Sequence, residues 1–295
     1  MRVVLLGAGG MLGHKLLQTL RVRFPATIAT LRGHRDRSPL QRVELLRGDD
    51  ILEGVDASDF AQLRSLLSER RPDVIVNCIG VIKQRDTAKA ARPSIRINSL
   101  LPHELAYWAE GWGGRVIHFS TDCVFSGRKG GPYLETDPSD AGDLYGKSKF
   151  LGEVATDNAL TLRTSIIGRE LKHFASLLEW FLAQRGGTIR GFSRVIYSGL
   201  TTNHLSEIVA DLIEHHPRLS GVYQLASDPI NKYDLLVEVR EAMGVDVTIE
   251  RDVDVALDRS MLGKRFTEAT GIVVKPWPQM IAELAADTTP YDAWR

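Results

Sequence analysis

Cysteine is scarce: Cys78 and Cys123 are the only two in 295 residues. Two thiols inside apolar runs cannot build a disulfide scaffold, and they point to a reducing compartment, the cytoplasm. Net charge is missing as well, with 37 basic side chains against 37 acidic ones. That balance argues against nucleic acid as a partner, since chains that wrap it carry a basic excess. It equally argues against an acidic, disordered chain. No apolar run approaches the ~20 residues a membrane-spanning helix requires. The apolar start, Val3 to Leu6, is broken at once by glycines and followed by Lys15, so it reads as neither signal peptide nor span. The eight histidines show no metal-ligand spacing and no Cys-x-x-Cys occurs, so no metal site is expected. Repeats and low-complexity tracts are absent too. What is present is 43% apolar content over a length suited to one large domain or two closely packed ones.

The first half alternates two kinds of segment. Residues 2–6, 26–31, 73–78, 115–119 and 160–163 are short, β-branched and apolar on both faces, as buried strands are. Between them, 11–23, 58–70, 93–110 and 144–157 carry helical periodicity, with Pro102 predicting a kink or a late start in the third. Strand and helix in alternation predict an α/β fold: a Rossmann-type doubly wound parallel sheet with a smaller C-terminal lobe. Further on, 174–184 and 204–216 read as helices and 221–225 as a strand, and the pattern weakens after residue 245.

The first strand runs into Gly7-Ala8-Gly9-Gly10-Met11-Leu12-Gly13, and a helix follows immediately. Glycines there allow positive φ and a close backbone approach to a pyrophosphate, while the helix start offers N–H groups and a positive dipole end. Gly7, Gly10, Met11, Leu12 and Gly13 are therefore expected cofactor contacts. After the second strand an acidic residue would grip ribose hydroxyls, whereas arginine suits a 2′-phosphate. The chain has Arg32 and Arg35 there, with Asp36 between Arg35 and Arg37. NADP is expected, with NADH still open.

Tyr145-Gly-Lys-Ser-Lys149 sets a phenol and an ammonium four residues apart on one helix face. None of the other six tyrosines has a lysine four positions on. A nearby cation stabilises phenolate and brings an otherwise poor acid toward neutral pH. Upstream, Ser120 and Thr121 end a strand where a hydroxyl can hydrogen-bond a carbonyl oxygen gaining charge. Local turn bonding is the competing reading for both hydroxyls.

These residues resemble the extended short-chain dehydrogenase/reductase family, and within it the dTDP-4-dehydrorhamnose reductase branch. The likeness spans nearly the whole chain: the glycine loop, Ser120-Thr121-Asp122 with Val124-Phe125-Ser126-Gly127, Tyr145 to Lys149, Leu162–Ser165, Thr201–Ile208 and Gly221–Ala226. The resemblance implies a catalytic set of Thr121, Tyr145 and Lys149. Thr121 would position the substrate oxygen, Tyr145 would donate the proton, and Lys149 would hold the nicotinamide ribose and lower the phenol's pKa. It further implies cofactor roles for Asp56, Asn77, Ile79, Gly80 and Ser120, and for Asn98 as support of the lysine. Cys123 stands where the branch usually has tyrosine, and Lys83 and Gln84 replace part of an alanine-rich stretch. Lys83, Cys123, Val124, Phe125, Arg163, Ser165, Lys172, Arg194 and Tyr197 are position-based candidates for the substrate side.

The implied activity is NADPH-dependent reduction of the 4-keto group of a nucleotide-activated 6-deoxy sugar, in a cytoplasmic protein that could pair as a homodimer. An NAD-retaining epimerase or dehydratase and a non-catalytic NADP-binding regulatory subunit remain as alternatives. Residues 1–165 are expected to bind NADP, with segments around 190–225 returning to that domain. Residues 166–295 are expected to form mainly the substrate lobe, packed in part by the C-terminal Tyr291-Asp292-Ala293-Trp294-Arg295.

Overall fold

The computed structural model describes residues 1–37, 39–82 and 90–294. Its centre is a parallel sheet of seven strands: β1 (Val3–Leu6), β2 (Ile28–Thr30), β3 (Ile51–Leu52), β4 (Val74–Asn77), β5 (Arg115–Thr121), β6 (Ala159–Thr164) and β10 (Gly221–Gln224). Their spatial order is β10-β6-β5-β4-β1-β2-β3. Chain order reverses between β1 and β4, so the carboxyl ends of those two strands flank the crevice where α/β sheets bind ligands. The doubly wound sheet expected from the alternating pattern is the one observed. β3, two residues long, is too short to show in the periodicity.

Helices α1 (Met11–Arg23), α2 (Phe60–Arg70), α3 (Ala91–Ser94), α4 (Leu101–Glu110) and α5 (Leu144–Leu151) connect the strands. Asp59 caps α2, its side chain accepting the Gln62 N–H. Pro102 does not break its helix. A π-helical turn, Ile95–Leu100, joins α3 to α4 without a gap. Proline has no N–H to return to the carbonyl of Asn98, so the ladder widens there and the helix continues.

The remaining elements are β7 (Ile166–Ile167), α6 (Leu177–Leu182), β8 (Thr188–Tyr197), β9 (Leu200–Thr201), α7 (Thr202–His215), β11 (Ile230–Asn231), α8 (Lys232–Met243), β12 (Thr248–Asp258), α9 (Lys264–Thr270) and α10 (Trp277–Ala285). β8 runs antiparallel to β11 and parallel to β12 in a separate three-stranded sheet. α7 packs on α1, and β10 pairs with β6 in the central sheet. The C-terminal residues depart from expectation. Tyr291 reaches back to α1, where its hydroxyl meets His14 Nε2 at 2.8 Å, and Asp287 bonds Lys15 at 2.8 Å. The tail thus braces the helix behind the glycine loop instead of packing only the smaller lobe.

Candidate active site

At the β1–α1 corner, Gly7 takes φ +89°. A Cβ on Gly13 would lie 2.1 Å from the Gly7 carbonyl oxygen, so only glycine lets the helix start this close to the strand. Gly10 caps α1 without a side-chain hydrogen bond, and no acidic residue occupies the first turn. The amides of Met11, Leu12 and Gly13 therefore keep an uncompensated positive end, which fits a pyrophosphate. Lys172, placed on the sugar side by sequence position, instead brings Nζ within 3.4 Å of where a Gly9 Cβ would stand. It lies beside the glycine loop.

Around the nucleotide end, Arg32 is exposed and its charge holds the Asp56 carboxyl down, after the hydrogen bond from the Ser58 amide, which does most of this. Arg35 is more committed, bonding Asp36 Oδ1 at 3.1 Å and the Leu46 carbonyl at 3.3 Å. After β4, Asn77 Oδ1 accepts the Ile79 N–H at 3.1 Å. Asn98 clamps Val81, two residues on, accepting from its N–H at 2.8 Å and donating to its carbonyl at 3.0 Å, and reaches Ser148 Oγ at 3.1 Å. None of its hydrogen bonds among the described residues goes to Lys149. Gly80 lies beneath the Asn98 side chain. Lys83 and Gln84 fall outside the described residues.

The reaction centre is built by close backbone approach. A Cβ on Gly146 would sit 2.2 Å from the Cys123 carbonyl oxygen, so this glycine brings the first turn of α5 against the turn after β5. Asp143 caps the helix, accepting the Gly146 N–H at 2.8 Å. Thr121 Oγ1 accepts the Cys123 N–H at 3.1 Å and donates to Asp122 Oδ1 at 3.0 Å. Tyr145 lies against it. Burial pushes the phenol well above its ordinary value, the charges of Cys123, Asp122 and Asp143 add to this, and the Thr121 hydrogen bond opposes it. Without a ligand the phenol therefore keeps its proton throughout the neutral range.

Lys149 is buried, its Nζ donating to the Phe119 carbonyl at 2.6 Å and facing His118 Nε2 at 3.3 Å. Burial lowers its pKa to about 8, against the opposing charges of Glu153 and Cys78. Ser120 turns away from the crevice, donating to Glu153 Oε1 at 2.7 Å. Arg163 does likewise, its Nε and Nη2 each 2.7 Å from the two oxygens of Glu153. Val124 and Phe125 are fully buried in a small cluster with Tyr133, Ala226 and Met261. They form the backing of the turn and do not reach its surface. Arg194 is exposed on β8.

On the substrate side, Tyr197 is buried and Ser165 half-buried. Two residues absent from the sequence-based candidates join them. Lys232, first residue of α8, sets its ammonium 3.7 Å from the Tyr197 ring centroid. Burial lowers its pKa to about 8, and the charges of Asp122 and Cys123 pull it back up. A lysine at a helix N-terminus opposes the dipole, and none of the salt bridges among the described residues involves it. Arg259 bonds Cys123 Sγ at 3.6 Å and the Phe125 carbonyl at 2.9 Å. Neither residue falls in a motif, and only the packing of the second lobe brings them here.

A family model described as the RmlD substrate binding domain matches residues 1–289. The chain belongs to that family. Similar proteins include the spore coat polysaccharide biosynthesis protein SpsK of Bacillus subtilis, 26% identical with 96% of each chain covered. A dTDP-4-dehydrorhamnose reductase of Streptomyces griseus is 31% identical over 56% of this chain and 49% of its own length. Among solved structures, a dTDP-4-dehydrorhamnose reductase of Bacillus anthracis in complex with NADP superposes with TM-score 0.78 at 20% identity, covering 97% of this chain and 99% of that one. The fold, and the branch that the motifs resembled, are those of this family. No helix among the described residues is long and apolar enough to cross a membrane.

Proposed function

We propose that this RmlD-family protein is an NADPH-dependent reductase of the 4-keto group of a nucleotide-activated 6-deoxy sugar, serving deoxysugar or surface-polysaccharide biosynthesis. The observation that carries the reading is Tyr145 set against Thr121 at the carboxyl edge of the sheet, with Lys149 four residues on in α5 and held on the Phe119 carbonyl, beside a glycine cradle suited to a pyrophosphate. NADPH, when bound, supplies a hydride to the carbonyl carbon. Thr121 orients the carbonyl oxygen, redirecting the hydrogen it otherwise gives Asp122. Tyr145 holds the proton that this oxygen receives, and Lys149 binds the nicotinamide ribose and restores the phenol's proton. Lys232 supplies a cation for the sugar side. The setting proposed is the cytoplasm. Exposed Leu100, Phe150 and Leu151, on packed helical elements, offer an apolar face for a homodimer.

The decisive experiment mixes the purified protein with NADPH and dTDP-, UDP- and GDP-linked 4-keto-6-deoxy sugars and follows NADPH absorbance. Oxidation with at least one sugar is expected. Tightly retained NAD without net NADPH consumption would instead mark an epimerase or dehydratase, and inertness toward every sugar would remove the reductase reading.

The same assay resolves cofactor choice. Arg32→Ala should weaken NADPH by roughly 10–100-fold, the loss of charge-assisted hydrogen bonds worth about 1.5–3 kcal/mol, while NADH changes little. Arg35→Ala should cost less, because its guanidinium already serves Asp36 and Leu46. Equal losses for both cofactors would refute the phosphate assignment.

A further inference from the structure

Behind Lys149 lies a chain of buried polar groups that the proposed chemistry leaves unused. His118, on β5, is fully buried. Its Nδ1 lies 3.1 Å from Asn77 Nδ2, and its Nε2 lies 3.3 Å from Lys149 Nζ. The hydrogens in this chain can be assigned by what each group is able to do. The Ile79 N–H can only donate, and at 3.1 Å it donates to Asn77 Oδ1. That bond fixes the amide's orientation, so Nδ2–H faces His118 and Nδ1 must accept. Burial, followed by the charge of Lys149 and then that of His103, holds His118 well below its ordinary pKa, so the imidazole is neutral and carries one proton. With Nδ1 accepting, that proton sits on Nε2 and points at Lys149.

An ammonium has three donors and no acceptor, and it would meet this N–H donor to donor. A neutral amine has a lone pair to receive it while still donating to the Phe119 carbonyl. We propose that Asn77 and His118 act as a tautomer lock behind Lys149, in which the His118 Nε2–H favours the lysine's amine form and so eases the release of its proton. The consequence reaches the cofactor side. For Lys149 to hold its charge against His118, the imidazole proton must move to Nδ1. The Asn77 amide must then turn over, and the Ile79 N–H at the turn after β4 loses its acceptor. The lysine's protonation is thereby tied to the turn that closes the nucleotide crevice. The other titratable groups facing this pair are Cys78 from the end of β4 and Glu153 beyond α5, both acting on Lys149, and His103 from α4, acting on His118. His118 is a positioning residue: it acts through Lys149 and not on the substrate.

This inference rests on the reading that Lys149 meets the cofactor, but not on the identity of the sugar. Nitrogen-15 NMR of the histidine-labelled protein without ligand tests the tautomer directly. Protonation of His118 at Nε2 is expected above about pH 9, where Lys149 is an amine, with the proton passing to Nδ1 as Lys149 gains its charge below about 8; a proton on Nδ1 at every pH would overturn the lock. The second test follows NADPH affinity against pH by fluorescence quenching in wild type and His118→Gln. A glutamine amide is free to turn its oxygen toward an ammonium, so the lysine-dependent midpoint should rise by about one pH unit, a tenfold change in its proton affinity. An unchanged or lowered midpoint would count against the proposal. Should His118→Gln fail to fold, the wild-type tautomer still decides. Failure of every sugar substrate would remove the reductase reading and leave both measurements intact.

Discussion

Tyr145→Phe should lower turnover by roughly 10²–10⁴-fold, the contribution typical of a positioned proton donor, with NADPH affinity within about twofold of wild type. The asymmetry follows from where the hydroxyl lies. It meets Thr121, while the glycine cradle and Lys172, the proposed pyrophosphate side, are built on β1, α1 and the loop after β7. Phenylalanine keeps the ring and its packing and deletes only the proton. The phenol's raised pKa fixes the sign of the effect in the direction of reduction. A group held above its ordinary value keeps its proton at neutral pH, so wild type begins each cycle with the acid loaded. Reloading the phenol is the proposed task of Lys149, four residues on in the same helix and lowered to about 8. Single-turnover and steady-state rates with a responsive sugar, beside NADPH binding by fluorescence, check this. Full activity in the variant would eliminate Tyr145 as the donor.

The parts of the molecule that could be read in the sequence are those governed by local rules. A glycine loop at a strand-to-helix corner and a tyrosine–lysine pair at i,i+4 carry their geometry with them. Six of the seven central strands show as short β-branched, mainly apolar segments because most of their residues are covered on both faces. What stayed hidden depends on contacts between distant segments. β8 and β12 are half-exposed, and their pairing shifts register between Asp252 and Ala256, so neither shows clean alternation. Helix α5 was expected to run to residue 157. It stops at Leu151 because Gly152 must let the Asn98 carbonyl approach to where a Cβ would stand only 1.9 Å away. Lys232 and Arg259 carry no motif at all. Arg163 misled in the opposite way: an arginine at the end of an inner strand reads as a ligand-facing group, and the carboxylate that engages it lies ten residues upstream beyond a helix end.

That carboxylate carries the largest expected effect on stability. Glu153 and Arg163 side chains are 4% and 6% exposed and meet through two parallel bonds of 2.7 Å. The Ser120 hydroxyl also donates to Glu153, and Arg163 Nη1 reaches the Glu135 carbonyl at 3.3 Å. Glu135 in turn accepts the Gln224 N–H of β10 at 3.0 Å. The cluster ties β5, the end of α5, β6 and β10 directly beneath Thr121 and Lys149. Glu153→Leu would strand a buried guanidinium and a serine hydroxyl, and removing one partner of such a pair typically costs about 3–5 kcal/mol. Arg163→Met should cost a similar amount by leaving the carboxylate alone. The double variant Glu153→Leu/Arg163→Met should recover much of the loss, because desolvating two charges offsets most of their mutual attraction. Urea denaturation of the four proteins measures the coupling. A ligand-facing Arg163 predicts a different pattern: Arg163→Met would raise KM for the sugar nucleotide while stability stayed within about 0.5 kcal/mol of wild type. If the network reading is right, the stability loss appears without any substrate present. Catalysis then falls only insofar as the Thr121–Lys149 geometry loosens with it.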